Sequence, residues 1–178
     1  FLTEDNIEVD YDYGDISIVS VINYLKNAHT YFLEFKLPQI RNKLIEAVNN
    51  QDQSITYSSI FLKFFDEYVM EVRKHMEYED KVTFPYVLKL LNGEKVSNYT
   101  IAVFRNHHND IESKLVELKN ILIKYYPDNG NSYLLTEVLF DIFSCEMDLA
   151  THNQVEDFLF IPEVEAVERK IKMKLWTA

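Results

Sequence analysis

Three glycines and four prolines are all the punctuation that 178 residues receive. A fold built on many tight turns, or on a glycine-rich phosphate loop, needs more of both. Helices joined by few connections are what remains. The chain is 47% hydrophobic and 26% charged, enough apolar material for a buried core and too much for a disordered or collagen-like chain. At 21.1 kDa it is sized for one domain around one shared core.

The apolar residues carry a helical period. From Ile16 to about Asn49 they recur at steps of three and four, at Val21, Ile22, Leu25, Phe32, Leu33, Ile40, Leu44, Ile45 and Val48. Pro38 lies inside this run and predicts a kink or short break, because it removes a backbone donor. A second helix is expected from about Ser58 to Leu91, with Phe61, Phe64, Phe65, Tyr68, Val69 and Val72 inward, Pro85 as an interruption and Asn92-Gly93 as its stop. Ser97 is the expected N-cap of a third, which passes through Ile101, Phe104, Ile111, Leu115, Leu118 and Leu122 before Tyr126-Pro127 and a turn ending at Gly130. The fourth starts near Ser132, carries Leu135, Val138, Leu139, Ile142, Phe143, Leu149 and Val155, and is disturbed by Pro162. Burying each stripe against the others predicts an all-α, up-down-up-down four-helix bundle over residues 16–178, behind an irregular acidic arm over 1–15.

Charge narrows the partners. Acidic residues number 29 against 18 basic ones, a formal net charge of −11 with no basic cluster to neutralise a phosphate backbone. Nucleic-acid binding by this segment is not expected. No apolar run nears the roughly 20 residues of a membrane span, and the acidic start lacks a basic region followed by an apolar core. The lone Cys145 has no cysteine partner for a disulfide, a zinc knuckle or an iron–sulfur cluster, so a reducing, cytoplasmic setting is expected. The chain opens on Phe1 and stops after Ile171–Ala178 without a turn signal, and a longer parent protein is expected.

Five histidines, His29, His75, His107, His108 and His152, fall across all four expected helices. His75 is followed four residues on by Glu79, and His152 by Glu156, which puts imidazole and carboxylate on one helix face. Both pairs sit in a longer pattern, His-x3-Glu-Asp-x4-Pro, which ends at Pro85 and at Pro162. His29 precedes the first pair by 46 residues and His108 the second by 44, so the chain presents one helical hairpin used twice, with internal pseudo-twofold symmetry. His29, His75 and His152 share the apolar stripes of their helices, His75 having Tyr68, Val72 and Val82 at helical offsets. His108 has Ile101, Phe104, Ile111 and Leu115 as stripe neighbours, whereas His107 has Thr100 and Lys114 seven residues away. His108 is therefore placed inward and His107 at the flank.

A single inward histidine is ordinary core chemistry, and an i,i+4 His/Glu pair often serves only the surface. The set together is different. Burying two carboxylates among four imidazoles costs several kcal/mol per uncompensated ion, which a pair of cations removes by direct coordination. Imidazole and carboxylate without thiolate suit iron or manganese better than structural zinc. Ferritin-like di-iron bundles use Glu-x-x-His at i,i+3 and more carboxylates, a different arrangement.

With His29 ahead of Leu37-Pro38, His75-x3-Glu79 ahead of Phe84-Pro85, the His107-His108 segment, and His152-Asn-Gln-Val-Glu156-Asp157 ahead of Pro162, the sequence resembles the hemerythrin-like, HHE cation-binding family from about Ile16 to Glu168. It is most similar to the branch of di-iron proteins that repair iron–sulfur centres after nitrosative or oxidative damage. The resemblance implies two iron ions, with manganese and zinc as substitutes, held by His29, His75, His108 and His152 and bridged by Glu79 and Glu156. Oxygen-carrying relatives have a second histidine four residues after the ligand on the third helix, where this chain has Glu112. The resemblance implies nitric oxide, oxygen or peroxide as reactants and damaged iron–sulfur proteins as partners; it leans towards a metal-binding repair or sensor protein while leaving enzymatic activity open, and a homodimer stays open too. Asp80, Glu112, Asp148, Asp157 and the tyrosines are the expected neighbours of the ligands. The alternative is a di-iron oxygen, nitric oxide or redox sensor domain of a larger regulatory protein. The cysteine pair that often precedes repair bundles is absent from this sequence.

Overall fold

The computed structural model describes residues 16–49, 55–94, 99–107, 111–124 and 133–176. The expected acidic arm, the Ser97 cap, the Pro127–Gly130 turn and the Ser132 start lie outside the described residues. Four long rods follow the apolar period. The first consists of α1 (Ile18–Thr30), a π-helical segment (Tyr31–Lys36) and α2 (Leu37–Asn49). The second is α3 (Ile55–Tyr78), a π segment (Glu79–Thr83) and α4 (Phe84–Leu91). The third is α5 (Ile101–His107) and α6 (Ile111–Lys124), and the fourth α7 (Tyr133–Val155), a π segment (Glu156–Phe160) and α8 (Ile161–Trp176). No strand occurs among the described residues, and none of their helices is long and apolar enough to cross a membrane.

The ends form where side-chain chemistry favours them. Ser17 Oγ accepts the Ser20 N–H at 3.1 Å, satisfying one of the orphan donors of α1. At the other end of the second rod, Gly93 takes φ +73°, its N–H bonds the Leu90 carbonyl, and the Glu94 N–H reaches back to Lys89. That pair of bonds is a Schellman stop, and it needs a residue free to be left-handed. The Asn92-Gly93 expectation holds.

The prolines do something other than break their rods. Three widened turns are closed by the N–H of Leu37 on Phe32, of Phe84 on Glu79, and of Ile161 on Glu156, each reaching five residues back. Pro38, Pro85 and Pro162 each come one residue later. A proline ring collides with the carbonyl four residues before it in a regular helix, and a wide turn just ahead carries that carbonyl aside. The backbone therefore stays helical where a break was expected, with Leu37 at φ −65°, ψ −43° and Ile161 at φ −61°, ψ −50°. Across each wide turn both residues joined by the five-residue bond are buried, Phe32 and Leu37, Glu79 and Phe84, Glu156 and Ile161, and so are Leu33, Thr83 and Phe160. Val82, expected to extend the stripe of His75, is instead 38% exposed, because the wide turn rotates it outward.

Rods adjacent in sequence pack together, α2 on α3, α3 on α6 and α6 on α7, and α2 closes the ring against α7. This is the expected four-helix bundle. Its interior divides into two apolar clusters. One gathers Phe32, Ile40, Leu44, Phe65, Val72, Leu118, Ile142 and Leu149 with their neighbours. The other gathers Ile22, Leu25, Phe84, Val87, Ile101, Phe104, Phe160 and Val164 at the opposite end. Each buried side chain of this size contributes roughly 1.5–3 kcal/mol. Arg41 clasps Asp66 with two bonds of 2.7 and 2.9 Å, and Lys43 meets Asp141 at 2.6 Å, fixing α2 to both neighbours. Being partly exposed, such pairs add about 0–1 kcal/mol each. Burial in the two clusters holds the fold.

Candidate metal centre

Between the two apolar clusters, the first, second and fourth rods each interrupt their apolar stripe with polar residues. His29 falls between Leu25 and Phe32, Glu79 and Thr83 between Met76 and Phe84, and His152 and Glu156 between Leu149 and Phe160; all are buried. A dry core does not accept such groups singly. Here they meet. One ligand atom from each of His29, Glu79, His152 and Glu156 can be chosen so that all lie within 4.8 Å of one another.

Local structure explains the convergence. Both glutamates open a π segment, and wide turns of this kind recur at functional sites because they re-aim a side chain without ending a helix. Both partner histidines lie in the last turn of the α-helix before a wide turn, His29 in α1 and His152 in α7. Rings wall in the imidazoles: Phe84 stacks on His29 at 5.6 Å, Phe32 stands edge-on to His152 at 5.9 Å, and the two imidazoles are 5.2 Å apart.

Glu79 is the hub. Its Oε2 is 2.9 Å from His29 Nε2 and its Oε1 is 2.5 Å from His75 Nε2, yet neither carboxylate oxygen nor His29 Nε2 finds an aligned hydrogen bond. The outer nitrogen of His29, Nδ1, lies 3.1 Å from Asp80 Oδ1. With Asp80 accepting the Nδ1 proton, the Nε2 lone pair points to the glutamate, the tautomer a metal ligand needs. Two lone pairs facing each other call for a cation between them. The same demand shows in the ring's proton affinity: burial lowers the His29 pKa, and the carboxylates of Glu79, Asp80 and Glu156 outweigh it, for a net rise. His152 Nε2 is 3.4 Å from Glu156 Oε1, out of line for a hydrogen bond, and its Nδ1 has no partner either.

These orphaned, buried atoms are the structural test of whether a metal fits, and they pass it. Of the six expected ligands, four converge, and His75 reaches the group through Glu79 from a position 13% exposed, its ring 6.3 Å from that of Phe104. His108 and the His107 side chain lie outside the described residues, as does the side chain of Glu112. Among the expected neighbours, Asp80 touches a ligand directly. Cys145 is buried in the larger apolar cluster, its thiol pushed up to about 12 by desolvation, so it stays protonated and outside the donor set. The sequence missed Thr83, buried four residues after Glu79; the His-x3-Glu spacing carried on one more turn points to it.

A protein-family model, the hemerythrin HHE cation binding domain, matches residues 20–164. No curated protein and no solved structure matches the chain.

Proposed function

The chain belongs to the hemerythrin HHE cation-binding family, and from that premise we propose that it is a cytoplasmic di-iron protein that answers nitrosative or oxidative damage by supplying iron to injured iron–sulfur centres. The bundle over residues 16–178 is the working domain. His29, His75 and Glu79 from the first repeat, with His108, His152 and Glu156 from the second, hold the two ions. The observation that carries this is the set of buried atoms, His29 Nε2 and both oxygens of Glu79, that face each other without hydrogen bonds.

The donor set favours iron, since imidazole and carboxylate with no thiolate match its preferences, and manganese or zinc enters as a substitute. Bound iron supplies one-electron redox changes and open coordination positions for nitric oxide, oxygen or peroxide. The chain's own residues set the conditions. Glu79 and Glu156 bring negative charge to an interior that could not hold cations otherwise. Asp80 fixes the His29 tautomer, and the aromatic rings of Phe32, Phe84 and Phe160 keep bulk water from the polar layer. Glu112, standing where oxygen carriers place a further histidine, favours iron release over reversible oxygen carriage.

The test is iron content per chain in protein purified without chelators, alongside recovery of a nitric-oxide-damaged iron–sulfur enzyme incubated with it. Two irons per chain and restored activity are expected. Iron-loaded protein that restores nothing would refute repair while leaving the metal centre intact.

A further inference from the structure

Beside the centre lies a group of phenols that metal binding does not explain. Thr83 is buried in the same wide turn as Glu79, and its Oγ1 is 3.0 Å from the hydroxyl of Tyr99. Tyr78, the neighbour of Glu79, donates to that hydroxyl at 3.3 Å. The ring of Tyr99 then stands edge-on to that of Tyr86, with centroids 4.8 Å apart. Tyr86 is itself buried and donates its phenol proton to Glu168 Oε1 at 2.5 Å, within the range of a charge-assisted bond. Glu168 is held in place by the Ile101 N–H, 2.8 Å from the same oxygen. A line of oxidisable rings thus starts at Tyr99, bonded to Thr83 one helical turn after Glu79, and ends on a phenol already bonded to a base.

We propose that Tyr99 and Tyr86 form a redox relay that drains an oxidising equivalent from the metal centre to Tyr86, with Glu168 receiving the phenol proton. The oxidant is the iron centre after reaction with a peroxide, and in resting on iron at Glu79 the relay rests on the function proposed above. One electron leaves Tyr86, crosses the Tyr99 ring and reduces the oxidised centre. The O–H bond of Tyr86 breaks as its proton passes to Glu168 Oε1, leaving a neutral tyrosyl radical beside a carboxylic acid. Burial, with the neighbouring carboxylate or phenols, raises the pKa of both tyrosines well above the ordinary range, so neither ionises beforehand. Electron and proton must therefore leave together, and Tyr86 has the acceptor for it. The relay spares His29, His75 and His152 from oxidation by giving the equivalent an exit.

The experiment treats iron-loaded protein with hydrogen peroxide, freezes it, and records the electron paramagnetic resonance spectrum, with iron content and optical absorption measured on the same sample. A tyrosyl radical is expected, lost in Tyr86→Phe and in Tyr99→Phe. Glu168→Gln keeps an acceptor oxygen for Tyr86 and Ile101 but cannot take the proton, so the radical is lost there with iron content unchanged. Full iron loading with no radical, or with the same radical in Tyr86→Phe, overturns the relay and leaves the iron assignment standing. If the protein holds no iron, that assignment fails by itself. The relay is then decided on metal-free protein with photogenerated ruthenium(III) tris-bipyridine as the one-electron oxidant. A radical that disappears in Tyr86→Phe and Glu168→Gln supports it, and one indifferent to both overturns it.

Discussion

The two His-x3-Glu pairs of the repeat share a spacing but not a distance. In the first, His75 Nε2 lies 2.5 Å from Glu79 Oε1. In the second, His152 stands 3.4 Å from Glu156 and neither of its ring nitrogens makes a hydrogen bond. Ligands that are oriented from outside bind more tightly and exchange more slowly than ligands that are not. Asp80 orients His29 in this way from 3.1 Å, and His152 has no such group on either ring nitrogen among the described residues.

The largest effect expected is at the hub. Glu79→Gln removes the charge that two imidazoles share, and metal content measured by plasma mass spectrometry should fall nearly to background. Metal retained at the wild-type level would remove Glu79 from the centre. Next comes Asp80→Asn, which leaves every ligand in place but loosens His29; affinity in a competitive chelator titration should drop about 10–100-fold. Metal removal gives a smaller effect. Stripped of cations, the two buried carboxylates repel one another, so metal-free Glu156→Gln should unfold above metal-free wild type by about 1 kcal/mol, or roughly 2–4 °C. In the metal-loaded proteins the order should reverse. The smallest change is expected for Pro85→Ala. If the packing of buried Glu79, Thr83 and Phe84 sets the wide turn, stability should shift by no more than about 1 kcal/mol and metal content should hold. A large loss of metal would make the proline, rather than the burial, the cause of the turn.

Much of this was legible in the sequence because it is local. The apolar period named the four rods, Asn92-Gly93 named a stop, and the twofold His-x3-Glu-Asp-x4-Pro pattern picked out Glu79 and Glu156, which the structure buries among imidazoles. Asp80 was legible too, as the residue after the hub. The wide turns were not. A proline in a helical run looks like a break when only its missing donor is considered, and the five-residue backbone bond that accommodates it emerges only when both apolar clusters are in place. That is why Val82 was expected inward and lies outward. The Tyr86–Glu168 contact, which joins α4 to α8 across 82 residues of chain, leaves no local signal at all.

The most direct test is crystallography of the iron-loaded protein with data collected at the iron absorption edge. Two anomalous peaks in the polar layer, within coordinating distance of His29 Nε2, the Glu79 oxygens, His152 and Glu156, are predicted. Iron bound at the surface, or no peak between those side chains in a protein that is otherwise folded, would contradict the account.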